Sequence, residues 1–83
     1  MKVIWTKHAE DRQKEWKKKT GITKQDVEYT VRVPEQIIPG DMNTFVAQSK
    51  NRNGLLRVPF AEISGDRKIL TVYWTSKIEK YWK

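Results

Sequence analysis

The sequence predicts an α+β domain in which two N-terminal helices pack on one face of a mostly antiparallel β-sheet, in the order β-α-α-β-β-β-β. Three observations carry this expectation. Helical periodicity ends at Pro34, two-residue alternation dominates after it, and turn residues recur at hairpin spacing. Helices first and a meander after leave one face of the sheet open.

Val3–Trp5 is a short apolar strand. Thr6 is an N-cap, and Lys7 to about Lys19 is rich in good helix formers. On that helix Ala9, Gln13, Trp16 and Thr20 share one face, while His8, Arg12, Glu15 and Lys19 form the adjacent stripe. Gly21 supplies the C-terminal stop. A second helix opens with Thr23 as N-cap and Asp26 closing a capping box, with Ile22 and Val27 as a hydrophobic staple. Pro34 ends it.

Strands follow over Glu35–Ile38, Asn43–Lys50, Leu55–Ile63 and Lys68–Thr75, the last being the most strand-like segment of the chain. Asn51-Arg52-Asn53-Gly54 and Ser64-Gly65-Asp66-Arg67 read as turns. Alternation sends Leu56, Val58 and Phe60, and likewise Leu70, Val72 and Trp74, towards the helices. Arg57, Thr71 and Tyr73 then belong to the open face. Pro59 cannot donate to a ladder, so it marks an edge or a bulge. Ser76–Lys83 is a basic, aromatic tail with room for one helical turn.

All 83 residues fit one small domain, whose core must rest on nine aromatic residues and the aliphatic runs. With one histidine and no cysteine, most metal and all thiol mechanisms drop out. No glycine-rich phosphate loop and no carboxylate cluster is present, so neither a metal nor a cofactor is expected. No apolar window approaches a bilayer span, and Met1–Trp5 is too short for a signal sequence, which leaves a cytoplasmic protein with no membrane contact as the expectation. Seventeen basic residues against ten acidic ones give a net charge of +7, a surface that draws polyanions, nucleic acid first and an acidic protein second.

Metal-free RNA cleavage needs a proton-transfer group at the 2′-hydroxyl and cations on the phosphorane. His8 is the candidate base or acid, Arg12 and Arg57 are candidate phosphate clamps, and Tyr73 is a candidate hydrogen-bond donor or stacking ring. Lys17, Lys18, Lys50 and Arg52 are candidate nucleic-acid contacts. The same residues also suit a non-catalytic basic module that binds nucleic acid or protein.

The run Lys7-His8-Ala9-Glu10-Asp11-Arg12, then Gly21-Ile22-Thr23, Val27, Pro34-Glu35 and Ile69-Leu70-Thr71-Val72-Tyr73, resembles a family of small prokaryotic domains of unknown function. Those domains open with a strand and a His-Ala-x-x-Arg helix, and they are distantly similar to RelE/BrnT-type toxins. The resemblance implies a RelE-like fold whose open sheet face contacts RNA, a metal-independent endoribonuclease, and an acidic antitoxin-like protein as partner.

Overall fold

The computed structural model describes residues 1–83. Its elements are β1 (Val3–Trp5), α1 (Lys7–Thr20), α2 (Lys24–Arg32), β2 (Gln36–Pro39), β3 (Thr44–Asn51), β4 (Gly54–Ile63), β5 (Asp66–Ile69), β6 (Tyr73–Thr75) and α3 (Ile78–Tyr81). The fold is α+β, with an open, mostly antiparallel sheet of six strands ordered β1-β5-β4-β3-β2; β6 pairs with β4 beside β5. Only the β1–β5 pair is parallel.

Local chemistry sets the element ends. The Thr6 hydroxyl accepts from the Ala9 N–H, and the same hydroxyl donates to the Ile69 carbonyl, tying the start of α1 to the end of β5. Gly21 ends α1 at a φ of 79°, in the left-handed region that glycine enters without a Cβ penalty. At α2 the capping box is complete: Thr23 accepts from Asp26 N–H, and the Asp26 carboxylate accepts from Thr23 N–H. Two-residue loops close the β3–β4 and β4–β5 hairpins. Arg52 and Asn53 have φ of 51° and 60°, and Ser64 and Gly65 have 50° and 84°, the positive values that the twist of a type I′ turn requires.

Ala9 of α1 and Val27 and Val31 of α2 join Ile22, Leu56, Val58, Ile69 and Val72 in one buried cluster, flanked by Val3, Trp5, Trp16 and Trp74. The indoles meet partners at the cluster's rim. Trp5 donates to Glu28, Trp16 to the Val72 carbonyl and Trp74 to the Asn51 carbonyl, at 2.7, 3.0 and 3.0 Å. Each indole therefore buries apolar area without orphaning its N–H.

Two expectations are corrected, the single strand Lys68–Thr75 and the place of Leu70 in the core. Lys68–Thr75 is split between β5 and β6, so the order is β-α-α-β-β-β-β-β-α, its last element being the one helical turn expected of the tail. The register gives the reason for the break. From Phe60↔Ile69 to Leu56↔Trp74, β4 advances four residues while its partner advances five. One extra residue makes a bulge, and a bulge reverses the side-chain alternation. Ile69 therefore joins Val72 and Trp74 in the core, and Leu70 leaves it half-buried. The bulge lies opposite Pro59, whose carbonyl accepts from Leu70 N–H at 2.9 Å and whose ring nitrogen has no hydrogen to donate.

Candidate nucleic-acid interface

The turn at Arg52-Asn53 pairs Asn51 with Gly54, which fixes Gln48 opposite Arg57; β6 then sets Tyr73 against Arg57 on the other side. These three side chains share the face opposite Leu56 and Val58. The tail after β6 turns back across this face. Arg57 donates from Nε to Gln48 Oε1 at 2.6 Å, and its guanidinium lies 4.1 Å from the Tyr81 ring centroid. Gln48 is completely buried, and its amide donates to Gln36 Oε1 at 3.1 Å and to the Tyr81 carbonyl at 3.2 Å. Tyr73 is edge-on to Tyr81 on one side and to Trp16 on the other, with centroids 6.3 and 6.0 Å apart. Lys50 places Nζ 4.5 Å from the Trp82 ring. The result is a compact group of one guanidinium, two phenols and flanking lysines.

Tyr81 is the phenol whose acidity this group changes. Hydrogen bonding from Tyr73 favours its ionised form most, Lys80 and Arg57 add positive charge, and desolvation opposes them; the balance holds the phenol below the ordinary tyrosine value. A folded-state value below the unfolded one adds stability at pH above the unfolded value, about 10, and loses it as pH falls through the lowered value. Tyr73→Phe should therefore raise the pH at which the first phenol ionises, followed by the phenolate ultraviolet absorbance. An unchanged titration curve would remove Tyr73 from this role.

His8 lies elsewhere on the molecule, and Arg12, one helical turn before Trp16, makes no hydrogen bond or ion pair with the Arg57 group. His8 is exposed in the first turn of α1, at the end tied to Ile69. Trp16 is the α1 residue that touches Tyr73, and eight helical positions separate it from His8, about 12 Å along the axis. No hydrogen bond or ion pair joins His8 to the Arg57 group. Arg12 pairs loosely with Glu15, Nε to Oε2 at 3.6 Å, and its Nε is buried without a hydrogen-bond partner. Lys7 is held by Asp11 at 2.8 Å, which raises the Lys7 pKa and lowers that of Asp11. The structure thus brings Arg57 and Tyr73 together and leaves His8 outside their group.

Of the candidate basic residues, Arg52 and the lysines at the end of α1 lie close together. Arg52 at the β3–β4 turn packs against Gly21, where a Cβ would stand 3.4 Å from its Nε, so the hairpin tip abuts the end of α1. The last turn of that helix carries Lys17, Lys18 and Lys19. Arg52 is ion-paired with Asp26 at 3.0 Å, whereas no ion pair engages Lys17, Lys18, Lys19 or Lys50. Two clusters thirty residues apart in the chain become one basic end.

Tyr81 and Gln48 are the participants that sequence reasoning missed. Gln48 had a signal: the hairpin turn alone dictates that it faces Arg57. Tyr81 had none, because its contacts to Tyr73 and Arg57 depend on where a terminal tail lies. No group of histidine, cysteine or carboxylate side chains is arranged to hold a metal ion, and no helix is long and apolar enough to cross a membrane. No protein family, characterised protein or solved structure matched this chain when compared.

Proposed function

We propose that this chain is an RNA-binding protein of the RelE/BrnT toxin type, acting as a metal-independent endoribonuclease through the sheet face that carries Arg57. The observation that carries this reading is the meeting of Arg57, Tyr73 and Tyr81 on one face, beside a basic end. Tyr81, held towards its phenolate by Tyr73, takes the 2′-hydroxyl proton as that oxygen attacks phosphorus. The Arg57 Nη groups face the charge growing on the phosphorane, since only Nε is used by Gln48. The P–O5′ bond breaks, water protonates the leaving oxygen, and a 2′,3′-cyclic phosphate remains. An acidic antitoxin-like segment is the protein partner that such a basic surface suits.

The test is cleavage of single-stranded RNA in EDTA. Arg57→Ala and Tyr81→Phe should each slow it about a hundredfold or more, and His8→Ala should leave it unchanged. A loss confined to His8→Ala would move the chemistry to the α1 edge. One observation favours a second reading, a non-catalytic binding module: Tyr81 covers one side of the Arg57 guanidinium and the tail spans the face. Under that reading RNA is bound through the basic end and stays intact.

A further inference from the structure

The surface holds a cleft of about 550 Å³ between α2 and β3, which shares only Lys50 with the Arg57 group. Its construction is specific. Asp26, Tyr29, Thr30 and Val33 lie at helical spacing along one wall, and Ser49, Lys50 and Asn51 form the other. The Val33–Glu35 link closes one end and is fixed in place, because Glu35 N–H donates to the Gln48 carbonyl and to Ser49 Oγ, at 3.0 and 3.2 Å. The Arg52–Asp26 ion pair lies at the other end. The cleft is therefore formed before any ligand arrives.

Its lining has three kinds of group. Tyr29 is 66% exposed and Val33 56%, an aromatic ring and an aliphatic neighbour left uncovered in a small domain. At the base stand two nearly buried hydroxyls, Thr30 and Ser49, 2% and 8% exposed. Glu35 receives Lys50 N–H on Oε1 at 3.2 Å, which leaves its second carboxylate oxygen free to accept. A flat apolar wall, a polar floor and one carboxylate acceptor match a planar heterocycle with an amino group. The neighbouring cations of the basic end suit the phosphates on either side of it.

We propose that this cleft receives one unpaired nucleobase of single-stranded RNA, stacked on Tyr29, with Glu35 accepting from the exocyclic amino group of cytosine or a purine. This rests on the RNA-binding reading and adds to it a base subsite and a preference against uracil. Stacking on aromatic rings is how unpaired bases are held by proteins that read single strands. A carboxylate beside the ring separates amino-bearing bases from uracil, which presents a carbonyl at the equivalent position.

The experiment is a fluorescence-anisotropy titration with oligocytidine and oligouridine of equal length. The wild-type chain should prefer oligocytidine by about fivefold, the worth of one hydrogen bond. Tyr29→Ala should weaken oligocytidine binding about tenfold without changing the slope against salt, because no phosphate contact is lost. Glu35→Gln should equalise the two oligomers. If Tyr29→Ala binds oligocytidine as the wild type does, the base subsite is overturned while RNA binding stands. If neither oligomer binds at low salt, the RNA reading fails and takes the subsite with it.

Discussion

Reversing charge at Lys17, Lys18, Lys50 and Arg52 together should weaken binding of single-stranded RNA by about a hundredfold at low salt and flatten its salt dependence. Each phosphate neutralised on a single strand contributes about −0.7 to the slope of log K against log salt, so losing four contacts makes the slope shallower by roughly 3. The effect is collective because these residues share one end of the molecule, where Arg52 packs on the Gly21 turn that ends α1. Reversing Lys7, at the other end of α1, is the control and should leave the slope as it was. Salt titrations of the three proteins check this. A slope that survives the fourfold reversal would show that the polyanion is held elsewhere.

Leu56→Ala should cost about 3 kcal/mol, within the range for truncating a buried leucine. Leu56 is completely buried near the start of β4, paired on one side with Ser49 and on the other with Trp74, and it belongs to the cluster shared with both long helices. Removing three carbons there leaves a cavity that the paired strands cannot close, since their backbones are fixed by ladders on both sides. A domain of this size has only about 4–12 kcal/mol of stability, so the melting temperature should fall by about 15 °C. Ile63→Ala makes the same kind of truncation at a side chain that is 45% exposed and should change stability by less than about 0.5 kcal/mol. Paired thermal unfolding of the two variants measures the contrast. Equal losses would mean that the core is not centred on β4.

Much of this architecture was written locally. Thr6 as an N-cap, Gly21, the Thr23/Asp26 box and the two-residue turns at Arg52-Asn53 and Ser64-Gly65 act through neighbours within four residues, so their consequences can be read from the order of residues alone. The same locality placed Arg57 and Tyr73 on one face. The bulge was not legible. Ile69 through Tyr73 is an unbroken run of strand-forming residues, and the extra residue shows only when β5 and β6 are set against β4 and Pro59. That slip exchanged Ile69 for Leu70 in the core. The tail was hidden for a different reason. Its bonds join Gln36 to Lys83 and Gln48 to the Tyr81 carbonyl, polar contacts across 47 and 33 residues that no periodicity announces. His8 drew attention as the only imidazole, but being unique in composition does not bring a residue near the rest of a site. Its helix end is bound to Ile69, four residues before Tyr73 in the chain and on the far side of the bulge.

The most direct measurement of the central claim is the fate of single-stranded RNA incubated with the purified chain in EDTA, with the ends of every product identified. Fragments carrying 2′,3′-cyclic phosphate and 5′-hydroxyl ends are expected, produced faster as pH rises through the lowered Tyr81 value and lost with Arg57→Ala. RNA that is bound but stays intact, or that Arg57→Ala cuts as fast as the wild type, would contradict that claim.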